Sequence, residues 1–399
     1  MAGRRPLAAS IVGTVVFVTA IAPLATDMYV PAFPRVAHDL AASTTQVQLT
    51  LTTFFAGMAL GQLVGGPVSD QRGRRLLLIL GTLLLTLASA GCALAPTITT
   101  MAVARFLQGF GGGWAMVISR AVIVDLATGS QLVRVLNVVA GVGGIGPIVG
   151  PLLGGLILQV SVWRVSFWVL VAAGVLMTLS CILFMPESLP RERRHGGGFR
   201  AFGRAARSVL TNRRYVGYVL VPTAAMVGVF AYVSTSAFIL ESINGLSPIA
   251  YSLDFAGNAA AAAVASLVAA RLAGRVSTRR VILVGQILGL AAGAALLAGG
   301  LFLGAPQYLV MACFLVLMIQ HGLVSANGGA LASAETPEHP GTGSAVLGLF
   351  LWLAAGFTAP IAGLGANITA SAAVLVIAGA GLSMFGLLVL ARPLRPAPA

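Results

Sequence analysis

One carboxylate sits inside the first apolar stretch of this sequence: Asp27, in I-V-G-T-V-V-F-V-T-A-I-A-P-L-A-T-D-M-Y-V-P-A-F-P from Ile11 to Pro34. An ionised group deep in a bilayer costs about 3 kcal/mol or more, so an acid there marks a functional site that needs a partner. A base occurs in a later apolar stretch, M-A-V-A-R-F-L-Q-G-F-G-G-G-W-A, as Arg105 with Gln108 and Gly109 following it. At 1.5 Å per helical residue, Asp27 is expected roughly 10–14 Å below the outer membrane face and Arg105 roughly 8–12 Å. Their matching depth predicts an ion pair in the outer half of a central cavity. A third candidate is the polar run G-P-V-S-D-Q-R-G-R-R from Gly66 to Arg75. There Gly66 and Gly73 permit a tight turn, Asp70 can cap a helix or pair with arginine, and Arg74 and Arg75 supply cations.

Positioning these groups falls to membrane helices. Of 399 residues, 58% are hydrophobic and 9% charged, too apolar for one water-soluble core. Apolar runs long enough for a helix of about 20 residues recur along the chain, without the period-2 alternation of barrel strands. They predict an all-α integral membrane protein with twelve spans: 10–34, 46–68, 76–95, 99–121, 136–158, 165–186, 214–240, 249–270, 280–303, 306–333, 343–366 and 370–391. The start, with Arg4 and Arg5 before an apolar run and A-P-L-A at 22–25, resembles a signal peptide. The run is too long for one and many spans follow, so it is expected to be a retained first helix.

A net charge of +14 would suit a nucleic-acid binder, but its distribution argues for topology instead. Every basic residue is Arg, and with the N-terminus inside, 20 of the 24 fall in cytoplasmic segments, leaving only Arg35 and Arg164 outside and Arg105 and Arg120 within a span. This is the positive-inside pattern, which predicts cytoplasmic termini. Trp163 and Arg164 are expected to mark the outer interface, and Asp254 to be a solvated acid near the outer end of its span. Cys92, Cys181 and Cys313 are isolated in apolar segments and read as small core residues.

Between the sixth and seventh spans the composition shifts to P-E-S-L-P-R-E-R-R-H-G-G-G-F-R-A-F-G-R-A-A-R. This predicts a linker, 187–213, between an N-terminal six-helix half, 1–186, and a C-terminal half, 214–399. Its arginine-rich part fits either an interfacial helix on the anionic inner leaflet or a solvated basic loop. The halves carry a faint repeat, with Arg74 and Arg75 matched by Arg279 and Arg280. Gly57, Gly61 and Gly65 in the second span, and Gly146, Gly150 and Gly154 in the fifth, make smooth faces for close helix packing.

The loop at Gly66, Asp70, Gly73, Arg74 and Arg75 resembles the signature of the major facilitator superfamily, although Gln71 stands where a basic residue is usual. The resemblance implies two pseudo-symmetric six-helix halves and a loop that acts as a conformational latch. Its acid would lie near a helix end of the other half, and its Arg near an acid ending the fourth helix, here Asp125. Arg105, Gln108 and Gly109 resemble the family's R-x-x-Q-G motif, associated with proton coupling. The run Gly146, Pro147, Gly150, Pro151, Gly154 and Gly155 is similar to the antiporter motif of drug exporters. Residues 27–34, 231–259 and 341–348 resemble the bicyclomycin- and chloramphenicol-resistance (Bcr/CflA) subfamily, with Ala326-Asn327 where a P-N pair is usual.

These resemblances imply a proton-coupled antiporter that exports small amphiphilic drugs by alternating access, with Asp27 taking up the proton and Arg105 as its partner. Its partners would be the drug, protons and the lipid bilayer, with no cofactor, metal or nucleic acid. A monomer in the bacterial inner membrane is expected. Tyr29, Phe33, Phe230, Tyr232 and Phe238 are candidate aromatic drug contacts or helix-packing residues. Gln108, Gln320 and His321 are candidates for the cavity wall, the last two also for an interhelical hydrogen bond. The alternative is a transporter of the same fold for a sugar, amino acid or other metabolite. An enzyme is not expected: there is no H-E-x-x-H, and the four histidines are far apart in sequence. The absence of Lys also removes the buried Lys–Glu relay expected of a respiratory pump subunit.

Overall fold

The computed structural model describes residues 8–194, 198–336, 338 and 340–392; Arg4, Arg5, His195, His339 and Arg395 lie outside them. Fourteen α-helices follow one another among the described residues: α1 (Ala9–Asp27), α2 (Phe33–Asp39), α3 (Thr44–Arg72), α4 (Arg75–Leu94), α5 (Ile98–Leu126), α6 (Gly129–Val160), α7 (Arg164–Phe184), α8 (Gly198–Thr211), α9 (Arg213–Ala237), α10 (Pro248–Leu272), α11 (Thr278–Phe302), α12 (Gln307–Ala334), α13 (Pro340–Ala362) and α14 (Ile368–Phe385). Taking α1 and α2 as one, eleven stretches are long and apolar enough to cross a bilayer, and α6 adds an apolar Ile145–Val160. Each of the twelve predicted spans therefore falls on a long helix. Helices satisfy their own backbone polar groups, which is what a lipid environment demands.

The helix ends follow local sequence. Ser43 and Gln46 form a reciprocal capping box at the start of α3, as do Thr97 and Thr100 at the start of α5. Asn212 Oδ1 accepts from the amides of Arg214 and Tyr215 to begin α9.

Two expectations need correction. The first span is not one continuous helix: α1 stops at Asp27, a 3-10 turn covers Val30–Ala32, and α2 resumes at Phe33. Pro31 has no amide to offer the Asp27 carbonyl and Pro34 none to offer Val30, so the ladder fails at both. Gly66 is not in a turn either, because α3 runs on to Arg72. The reversal is carried by Gly73 alone, whose φ of +99° lies in a region that L side chains rarely adopt.

The backbone groups into two compact units, Met1–Phe199 with Leu246–Ala256, and Arg200–Gly245 with Gly257–Ala399. Glycine sets the closest approach inside the first. A Cβ on Gly57 or Gly61 of α3 would strike the carbonyls of Phe106 and Phe110 on α5, and a Cβ on Gly109 or Gly113 would strike those of Phe54 and Met58 on α3. The two helices thus interlock by glycines on both sides, a contact that a larger residue would pry open. In the second unit, Val209 of α8 joins a core with Tyr215, Tyr218, Ala332, Val346, Leu387 and Ala391.

Candidate functional site

The break in α1 builds the first site. Past Asp27 the amide of Tyr29 turns back to the Thr26 carbonyl, which leaves the Ala25 carbonyl without its usual helical donor. Arg105 takes it: Nη1 donates to Ala25 O at 2.9 Å and to Gln108 Oε1 at 2.6 Å, and Gln108 Nε2 donates on to Ser89 Oγ at 2.8 Å. A cation at the negative end of a helix is a favourable placement. The guanidinium is fully buried and lies 4.3 Å from the ring centre of Phe54, 5.1 Å from Tyr29 and 5.9 Å from Phe167. Cation–π attraction offsets part of its desolvation. Its Nε and Nη2 have no hydrogen-bond partner among the described residues.

Asp27 lies two residues from the carbonyl that Arg105 holds, but no ion pair joins them among the described residues. The predicted pair is thus replaced, in this conformation, by an arginine that caps a broken helix. The carboxylate is buried, 8% exposed, and α6 covers it. A Cβ on Gly146 would meet Pro23, one on Gly150 the Asp27 Cβ at 2.8 Å, and one on Gly154 the Met28 carbonyl. The glycine face predicted in the fifth span therefore packs on the stretch that carries the acid. Pro147 and Pro151 lie inside α6, and Gly155 faces Pro248 and Ser252 at the start of α10.

The second site gathers around Arg74, buried to 7% exposure at the arginine-rich end of the first unit. Its Nη1 meets Asp70 Oδ1 at 2.7 Å and Ser69 Oγ at 2.6 Å, and its Nε donates to Asp125 Oδ2 at 3.1 Å. Arg75 Nη2 donates to the Ile182 carbonyl at 2.8 Å. Sequence reasoning missed the other half of this cluster. Glu187 Oε1 accepts from the Arg74 amide at 2.8 Å and from the Leu189 amide at 3.1 Å, its Oε2 lies 3.4 Å from the Arg75 amide, and Ser188 Oγ donates to Asp125 at 2.8 Å. An acid and a hydroxyl directly after Pro186 were the available signal. Helix α4 starts without a capping side chain of its own, so Glu187 supplies the cap from a distant segment. Glu187→Ala is expected to cost about 1 kcal/mol, the worth of a helix cap, seen as a lower Tm in detergent. Gly73→Ala is expected to cost more, since a Cβ there would also meet Glu187 and Arg194.

The repeat partner of Arg74 behaves differently. Arg279 donates to the carbonyls of Leu387 at 2.6 Å and Ala391 at 2.7 Å and to Tyr218 Oη at 3.1 Å, so the second unit's arginine holds a helix end where the first unit's holds acids.

The aromatic candidates are placed as follows. Tyr29 is buried, with Oη 3.1 Å from Thr50 Oγ1 and its ring against Phe33 and Phe167. Phe33 is fully buried. Tyr232 is also buried, with Asn258 Nδ2 3.3 Å from its Oη and its ring 4.8 Å from Phe314. Phe238 opens a π-helical turn, and Phe230 is partly exposed. Gln320 is buried beside Gly289, and the Nδ1 of half-buried His321 lacks a partner among the described residues. Trp163 is held by the protein itself. It is 1% exposed, donates to Asp39 Oδ2 at 2.9 Å and has Arg164 stacked 4.2 Å from its ring. The three cysteines are buried and free.

Comparison with known proteins agrees with this arrangement of helices. A family model described as Major Facilitator Superfamily matches residues 15–253. YdgK of Bacillus subtilis strain 168, described as an uncharacterized MFS-type transporter, is 36% identical over 346 residues, 86% of each chain. Multidrug resistance protein MdtL of Escherichia fergusonii is 29% identical over 343 residues, 84% of this chain and 85% of that one. Among solved structures, a D-xylose-proton symporter superposes with a TM-score of 0.74 at 16% identity over 96% of both chains. A bacterial homologue of the lysosomal transporter Spinster, inward-facing and unoccupied, gives 0.74 at 15% identity over 98% of this chain and 95% of that one. At such identities the structures share the fold alone, but the family model spans more than half of the sequence. The chain belongs to the Major Facilitator Superfamily.

Proposed function

We propose that this protein is a proton-coupled antiporter of the Bcr/CflA kind, exporting small amphiphilic compounds such as chloramphenicol- or bicyclomycin-like drugs. The observation that carries the reading is the meeting of three helices at one stretch. The glycines of the exporter-type motif seat on Pro23, Asp27 and Met28, and Arg105 holds the Ala25 carbonyl within the same stretch. Similarity to proteins named for multidrug resistance supports it. Two six-helix halves rock about a central cavity, as a monomer in the bacterial inner membrane, with both termini in the cytoplasm as the arginine distribution argues.

The proton acts through Asp27. When ionised, its carboxylate attracts the unpartnered Nε and Nη2 of Arg105; when protonated, that attraction is cancelled and Arg105 returns to Ala25 and Gln108. A ligand that favours one arrangement biases the two facing states. The Asp70–Arg74–Asp125 cluster, with Glu187, serves as the latch that stabilises one of them.

Purified protein in liposomes with an imposed pH gradient tests the reading. Drug accumulation should follow the gradient, with protons moving in the opposite direction; drug transport indifferent to the gradient, or gradient-driven transport of a sugar or amino acid in its place, would overturn it. Arg105→Lys keeps the charge but loses the planar guanidinium whose Nη1 bonds both Ala25 and Gln108 and whose face lies over Phe54. It is expected to slow gradient-driven transport by about tenfold, the effect of losing one charge-assisted hydrogen bond, and to lower Tm, because the buried cation loses partners in the folded state as well.

A further inference from the structure

Helix α8 lies in the segment joining the two halves, and no acid occurs between Glu192 and Glu241, whereas arginine recurs at 200, 204 and 207. One side of the helix is accounted for: Val209 is buried and Ala206 partly so, against Tyr215, Tyr218, Ala332, Val346, Leu387 and Ala391. These residues sit near the start of α9, at the end of α12, near the start of α13 and just past the end of α14, with Arg213, Arg214 and Arg392 adjoining them in sequence, so α8 lies at the level where those long apolar helices terminate. The other side carries Arg204, Arg207 and Ser208, all exposed, with Leu210 41% exposed on the flank. At 100° per residue Arg204 stands almost opposite the buried Ala206–Val209 side, and Arg207 lies between it and Leu210. Neither arginine has an ion pair among the described residues, whereas nearby Arg214 is paired with Glu335 at 3.1 Å.

We propose that the exposed stripe of α8, Arg204 and Arg207 flanked by Leu210, docks on the headgroups of an anionic phospholipid leaflet and so fastens the linker to the membrane surface. Level, charge and amphipathic flank all favour this partner. A cation held at an anionic surface gains about fivefold in partitioning per arginine, and the attraction falls within a Debye length, so it is lost in strong salt. The inference does not depend on what the protein transports.

The test is a fluorescent reporter on α8. The native cysteines are buried, so an environment-sensitive dye placed through Ser208→Cys labels this exposed position selectively. The full chain is placed in nanodiscs of phosphatidylcholine alone or mixed with phosphatidylglycerol. The mixture should shift the dye's emission to the blue and expose it to a headgroup-anchored quencher. About 1 M salt and the double variant R204Q/R207Q should each reverse the shift, while the variant's Tm stays that of its parent, since both side chains are exposed. Identical emission in the two lipids, or a shift that survives the double variant, overturns the proposal. So does a shift that appears in lipid-free detergent and grows with protein concentration, which would assign the stripe to a second copy of the chain.

Discussion

Asp27→Asn should reduce pH-gradient-driven transport to background while leaving the protein folded and able to bind its substrate. Asparagine has nearly the shape of aspartate but no titratable proton. The carboxylate makes no ion pair among the described residues, so the substitution breaks no salt bridge and removes a polar group that is costly to bury as an ion. Tm should therefore stay level or rise, while the gradient loses its handle on the helix break. Asp27→Glu is not a conservative rescue here. Gly150 brings α6 so close that a Cβ on it would stand 2.8 Å from the Asp27 Cβ, leaving little room for another methylene. Proteoliposome flux, substrate binding and melting measured on both variants decide the matter: gradient-driven flux that persists in Asp27→Asn removes this residue from the coupling mechanism.

Gly109→Val and Gly113→Val should be the most damaging substitutions to the fold itself. Each would set a branched side chain against a backbone carbonyl of α3, Phe54 for the first and Met58 for the second. A backbone carbonyl cannot rotate out of the way as a side chain can, so α3 and α5 must separate. Overpacking a core commonly costs about 1–3 kcal/mol, and a backbone clash belongs at or beyond the upper end. The expected result is a sharp loss of monodisperse protein on size exclusion and a Tm lowered by many degrees. Gly257→Ala is the control, because a Cβ there meets nothing within 4 Å and should leave both measurements near those of the parent. Equal behaviour of Gly109→Val and Gly257→Ala would mean that the α3–α5 contact does not hold the first unit together.

Much of the architecture was legible in the sequence because crossing a bilayer is a one-dimensional requirement. Each span needs its own run of apolar residues, so runs can be counted without knowing what they touch. The glycine triplets were also legible as faces, but not their partners. That Gly150 lies on Asp27, and not elsewhere on α1 or on another helix, depends on how helices distant in sequence assemble. The turn at Gly66–Arg75 was read one turn too early, since Gly66 and Pro67 are accommodated inside α3 and only the positive φ at Gly73 ends it.

Asp27 and Arg105 mark the same division. The sequence by itself determined that both fall in apolar helical stretches, because hydropathy and residue spacing are properties of each segment alone. Only the tertiary structure decided what Arg105 bonds. The turn after Asp27, where the Tyr29 amide bonds Thr26, frees the Ala25 carbonyl, and the packing of α1 beside α5 brings that carbonyl within 2.9 Å of the guanidinium. A hydrogen-bond partner is chosen by which acceptor folding leaves unsatisfied within reach, and no list of residue types contains that information.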